Sequence, residues 1–271
     1  MKYLIACGLL LASFGARPGA AQTRRSVQDA QLWANLQGEV ALKNGDYLLL
    51  ELHGENVTTY NGGMSFTPNR FLGFDQRATA LTYEHFWSDH WSGGGALRYQ
   101  ANSSLLVLTP ELLLRHRSPV GPLTFGQRLS VFRVFPLQSR PDPANFVSLR
   151  VDLEKILPLG SSTVALRPRL SYEAVTHLRL QKGPDAADER TIQYTSLRAE
   201  VGCRVGDHFD FTPWFAYSTG YFLTLVQYNA KGDPTGGGRL NLITPVVGLD
   251  ARFTLFEGKT AFERRQLPTQ H

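Results

Sequence analysis

The stretch Gln31–Leu42 reads QLWANLQGEVAL. Leu32, Ala34, Leu36, Gly38, Val40 and Leu42 share one parity, and Trp33, Asn35, Gln37, Glu39 and Ala41 share the other. Successive side chains of a strand point to opposite faces, so this segment presents one apolar face and one mostly polar face. The same alternation returns along the chain almost to its C-terminus. Long strands that are apolar on one side and charged on the other, behind an export-like leader, imply an all-β fold of a particular kind. The expectation is an antiparallel, up-and-down transmembrane β-barrel of the outer-membrane type.

Eleven segments carry the pattern, at about 31–43, 46–58, 74–87, 91–101, 105–117, 122–135, 146–157, 162–180, 191–205, 209–228 and 240–256. Bacterial single-chain barrels have even strand numbers, so we expect twelve strands, with 209–228 divided in two, and ten as the alternative. Short turn signals such as Asn44-Gly45-Asp46, Ser88-Asp89-His90 and Ser118-Pro119-Val120-Gly121 separate some segments. Longer Gly-, Pro- and Asp-rich connections, Asn61–Arg70, Pro136–Asn145, Gln181–Arg190 and Asn229–Arg239, separate others. Short turns alternating with long loops match the two ends of such a barrel.

The N-terminus supports export. Lys2 precedes the apolar run Tyr3–Phe14, which is shorter than the roughly 20 residues of a spanning helix. Gly19 and Ala21 occupy the −3 and −1 positions before Gln22, so residues 1–21 read as a secretory signal. Cys7 lies too early in the run for a lipidation site. Residues 22–30 then form a lead-in, 31–256 the barrel, and 257–271 a polar tail. The 28 basic residues exceed the 23 acidic ones by only five, and the signal removes Lys2 and Arg17, so nucleic acid is not an expected partner. Only Cys203 remains after cleavage, which rules out an intramolecular disulfide. A mean hydropathy of −0.20 suits a barrel, whose inward residues dilute the membrane signal.

Parity assigns a lumenal charge network. It holds Glu39, Glu51, Glu55, Glu84, Glu111, Asp152, Glu154, Glu173, Glu200 and Asp250 against Arg98, Arg115, Arg128, Arg150, Arg167, Arg169, Arg198, Arg204 and Arg252. The near balance favours a salt-bridged, largely filled interior over a wide pore, since planar guanidinium forks bridge carboxylates on neighbouring strands. The alternative is a charged conduit for a small polar solute. Trp87, Trp91, Phe132, Phe215 and Tyr217 are expected to form an aromatic girdle at headgroup level on the outer face.

No catalytic set, cofactor motif or metal-ligand spacing is present; none of the seven His forms HExxH. His116 with Ser118 is the nearest candidate for lipid hydrolysis at a rim. Gly93-Gly94-Gly95 and Gly236-Gly237-Gly238 lack the strand–helix context and Lys of a phosphate loop; the first lets side chains crowd past a strand and the second makes a flexible loop.

Several stretches together resemble the DUF2490 family, outer-membrane-type proteins of unknown function common in Bacteroidetes. They are Leu32-Trp33 at the first strand, LLLRHRSPVGPLTFGQRLSVF at Leu112–Phe132, LRVDLEKILPLGSSTVALRPRLSYEAV at Leu149–Val175, and the hairpin Leu197–Tyr217. Where the family tends to show a Glu-Gln-Arg triplet, this chain has Gly126-Gln127-Arg128. The resemblance spans most of the mature chain and implies a barrel but no activity. The expected protein is thus a porin-like, non-enzymatic outer-membrane barrel, monomeric, with a structural, binding or narrow-transport role. Its partners are outer-membrane lipid and, by class, the barrel assembly machinery. The competing readings are an outer-membrane lipid-modifying enzyme and a soluble periplasmic β-protein that binds an apolar ligand.

Overall fold

A computed structural model describes residues 23–56, 74–102, 105–138, 142–159, 164–179, 190–206, 208–232 and 234–257. The signal segment 1–21, the connections at 57–73 and 180–189 and residues 258–271 of the tail lie outside the described residues. The chain runs β1 (Arg24–Val27), β2 (Gln31–Ala41), β3 (Tyr47–Asn56), β4 (Gln76–Phe86), β5 (Trp91–Ala101), β6 (Leu106–Val120) and β7 (Leu123–Pro136). It continues with β8 (Ala144–Glu154), β9 (Leu157–Pro158), β10 (Val164–His177), β11 (Tyr194–Val205), β12 (Phe209–Tyr228) and β13 (Pro234–Phe256).

Neighbouring strands pair antiparallel from β2 round to β13, with the two-residue β9 lying beside β10. The sheet then closes on itself because β13 pairs with β2, Val246 opposite Gln31 through Phe256 opposite Ala41. The result is a closed barrel of eleven strands, which corrects the expected twelve. Two physical facts account for the difference. Residues 209–228 form one continuous strand, β12, paired with β11 along its first half and with β13 along nearly all of it. Even strand number is a requirement only when every seam is antiparallel, and here β13 and β2 run in the same direction. The barrel is therefore mixed rather than wholly antiparallel.

β1, within the segment read as a lead-in, prolongs the line of β2 along the same edge of β13, Arg24 opposite Leu240 through Val27 opposite Ile243. Between Val27 and Gln31 the chain advances four residues while β13 advances from Ile243 to Val246. One extra residue is thus inserted, as in a bulge. β12 and β13 extend beyond their neighbours as a long hairpin, so the second glycine triplet lies within β13 rather than in a loop. Gly94 of the first triplet lies against its neighbour: a Cβ there would come within 1.9 Å of the Tyr83 carbonyl oxygen.

Alternation sorts the wall cleanly. On β2 and β3, Asn35, Gln37, Glu39, Leu49 and Glu51 are buried inside while Leu32, Leu36, Leu48, Leu50 and Leu52 are exposed outside. Leu112 is 71% exposed and Leu36 58%. The usual order of a globular protein, apolar within and charged without, is inverted here. Conventional apolar cores are small: Ala41 and Tyr47 with Phe86 and Phe256 at the end with short turns, and Trp214, Ala216 and Val246 with Trp33 in the opposite half.

Candidate functional site: a plugged lumen with an open basin

Each strand passes between an end with short turns and an end with long connections, so the inward residues fall into layers along the axis. Nearest the short turns, Arg115 donates from Nη1 to both Glu84 oxygens at 2.9 and 3.1 Å, and Ser92 Oγ donates to the same carboxylate at 2.6 Å. Arg252 bridges Glu39 at 3.2 Å and donates from Nε to Gln37 at 2.8 Å. Arg169 bridges Glu200, and lies 3.9 Å from Glu154, which Arg117 approaches at the same distance. Arg204 faces Asp210 at 3.4 Å. The side chains of Arg169 and Glu39 have no exposed surface at all. Tyr47, Phe86 and Phe256 pack together at the same end, where these pairs are buried.

The middle layer carries Arg198, which bridges Asp250 at 2.6 Å and Glu200 at 2.8 Å and lies 4.0 Å over the Trp214 ring. Arg98 bridges Glu51 at 3.1 Å, and Arg128 bridges Glu111. Arg150 donates to Ser171 at 3.3 Å. Arg167 is buried at the short-turn end, where its guanidinium would meet a Cβ at Gly202. Asp152 is also buried there, and its carboxylate fills the space a side chain at Gly126 would take. The structure thus brings the predicted charged residues into one interior and pairs most of them.

Toward the long connections the packing opens. A cavity of about 200 Å³ is floored by a hydrogen-bonded cluster. There Asn35 Nδ2 donates to Asp250 Oδ1 at 2.6 Å, Trp214 Nε1 donates to the same oxygen at 2.8 Å, and His53 sits between Asn35 and Glu55. Trp33 packs edge-on against both His53 and Trp214. One wall is hydroxyl-rich, with Tyr194 donating to Ser218 at 2.9 Å and Ser196 3.2 Å from Ser218. A second cavity of about 430 Å³ has Glu111, Arg128 and Gln100 among its polar lining and Val107, Phe132 and Val134 among its apolar lining. Arg98 and Glu173 line both, so the two cavities adjoin, and together they are called the basin below.

The aromatic expectation needs two corrections. Phe132 has the inward parity of Arg128 and Ser130, stacks on Phe146 at 5.4 Å, and lines the larger lobe; it is no part of an outer girdle. The cavities toward the long connections leave room for rings, which an inner face read as purely polar does not allow for. Phe215 and Tyr217 do face outward, but halfway along the part of β12 that pairs with β11 rather than at a rim. Trp87 and Trp91 are exposed on the outer side by the short turns.

His116 lies against Trp91, ring centroids 4.5 Å apart and tilted by 48°, and has no hydrogen bond or ion pair among the described residues. No group of three or more His, Cys, Asp or Glu side chains suited to a metal ion occurs among the described residues. Sequence reasoning missed the Asn35–His53–Trp214 cluster, Arg117, Asp210 and Phe146. All share the inward parity of their strands, so the signal was present but was applied mainly to charges. The chain matches no protein-family model and no curated protein sequence.

Proposed function

We propose that this protein is an exported, monomeric outer-membrane β-barrel without enzymatic activity, plugged at its periplasmic end and holding a ligand-binding basin that faces outward. The observation that carries the proposal is the inverted surface. An apolar belt including Leu36, Leu50, Leu81, Leu112, Leu149 and Val247 is exposed around a charged interior. Contiguous exposed apolar surface beyond a few hundred Å² marks a membrane or partner interface, and this belt encircles the wall. Most wall strands reach or exceed the 9–11 residues of a tilted spanning strand. The export-like leader agrees with this location, and assembly by the machinery for such barrels would follow from it.

A binding role is favoured over conduction by the gradient of packing. Buried ion pairs gather at the short-turn end, whereas the described cavities of the basin lie in the opposite half. In purified outer membranes, the folded protein is expected to resist carbonate extraction and to migrate differently on gels before and after boiling. In planar bilayers it is expected to give no steady stepwise conductance. A protein released by carbonate with no mobility shift would overturn the membrane reading, and open channels would overturn the plug.

A further inference from the structure

The chemistry of the basin selects among ligands. In the smaller lobe, Trp33, Trp214 and Tyr194 supply rings beside the carboxylates Glu55 and Glu173 and the guanidiniums of Arg98, Arg150 and Arg198. Arg98 is bridged to Glu51, while Glu173 accepts from Ser148 Oγ and lies near enough to Arg128 and Arg150 to interact with their charges without a direct ion pair among the described residues. Glu55 is met by His53. Acceptors and donors of both signs thus line the same small space. A ligand of net charge gains against one set and loses against the other, in a setting where buried charge is costly. An uncharged ligand rich in hydroxyls uses both, donating to carboxylates and accepting from guanidinium and serine groups. Its apolar ring faces then lie against the aromatic side chains. The larger lobe repeats the mixture with Gln100, Thr109 and Ser130 beside Phe132, and its about 430 Å³ falls in the range of small-molecule pockets.

We infer that the basin is a binding site for an uncharged sugar of one or two rings, held between Glu173 and Arg98 with a ring face against Trp33 or Tyr194. The inference rests on the reading of the lumen as a plugged, ligand-binding barrel. The chain has four tryptophans, and only Trp33 and Trp214 line the basin. Trp87→Phe and Trp91→Phe on the outer side therefore leave fluorescence reporting on the site.

The test uses that full-length variant, folded in the sugar-free detergent lauryldimethylamine oxide and checked by heat-modifiable migration. It is titrated with maltose, trehalose, cellobiose and glucose, and in parallel with choline and glucose 6-phosphate. Saturable fluorescence change with at least one neutral sugar, in the millimolar range or tighter, is expected. Glu173→Gln is expected to weaken it about tenfold or more, since a charge-assisted hydrogen bond is lost. Tyr194→Phe, which keeps the ring and removes one hydroxyl, is the second variant should the first not fold. Response to no neutral sugar, response only to choline or the phosphate, or identical affinity in a folded variant would overturn the inference. The migration and carbonate tests need no sugar, so a protein that passes them and ignores every sugar refutes the ligand and leaves the barrel reading standing.

Discussion

Replacing Arg115 by Met tests whether the short-turn end of the lumen is dry. Arg115 and Glu84 are 3% and 1% exposed, and the carboxylate takes two contacts from one guanidinium nitrogen and a third from Ser92. In a water-filled lumen such a pair contributes about 0–1 kcal/mol, because bulk solvent replaces the lost partner. In a filled interior, removing one partner strands the other charge and costs about 3–5 kcal/mol. At about 1.4 kcal/mol per factor of ten, that is roughly two to three and a half orders of magnitude in the unfolding constant. The reverse change isolates the cause. Arg115 Nε and Nη2 find no acceptor, so Arg115→Met with Glu84→Leu removes two imperfectly satisfied groups together. The double variant is expected within about 1 kcal/mol of the parent or above it.

The assay is urea unfolding of the folded barrel, read by gel migration and tryptophan fluorescence. A single variant that costs under about 1 kcal/mol, with the double variant no better, would refute a dry plug and return the lumen to a hydrated conduit. The same proteins in planar bilayers then show whether loss of the pair opens a conducting path.

Other expectations follow from the wall and the turns. Leu81→Arg, halfway along β4 and 56% exposed, should cost about 2–4 kcal/mol in lipid vesicles but next to nothing in a water-soluble barrel, as measured by vesicle unfolding titrations. Gly94→Ala should destabilise the β4–β5 seam by about 1–3 kcal/mol, because the new methyl meets backbone that cannot swing aside. Asp46, in the turn before β3, is raised by burial but lowered further by hydrogen bonds from the Tyr83 hydroxyl, His85 and the Phe86 amide, so it ionises below its ordinary 3.8. Its contribution is complete above that ordinary value and lost as pH falls through the lower folded one. Asp46→Asn should therefore flatten the acid limb of stability below about pH 4 in unfolding titrations.

Legibility differed between local and closing features. Alternation along Gln31–Ala41 already separates Glu39 from Leu36, because side-chain parity is a property of two adjacent residues. Apolar residues on the inward parity, such as Leu49, Leu113 and Phe132, escape that reading: burial inside a lumen rewards volume as well as charge. The cluster of Asn35, His53, Trp214 and Asp250 draws on four strands, β2, β3, β12 and β13, and no spacing in the chain announces it. Closure is the extreme case. The bond between β2 and β13 joins residues more than two hundred positions apart, and its direction decides whether the strand number is odd or even.

That direction has a topological consequence. β2 and β13 both run from the long-connection end toward the short-turn end, so Arg24 begins on one side of the wall and Phe256 finishes on the other. In a barrel of even strand number both ends would lie together. Short turns face the periplasm in outer-membrane barrels, so the location proposed above would put the start of β1 at the cell surface and the end of β13 inside. An epitope inserted directly before Arg24 should be removed by protease added to intact cells, while one inserted after Phe256 should survive until the outer membrane is permeabilised. A change of tag position does not disturb the lumen, so folding can be checked independently by migration. Survival of both tags in intact cells would contradict the parallel seam and restore the even, wholly antiparallel barrel. Removal of both would contradict the parallel seam as well, whereas removal of only the tag after Phe256 would keep the seam and contradict the orientation set by the turns. Either split agrees with eleven strands, and only the first agrees with short turns at the periplasm.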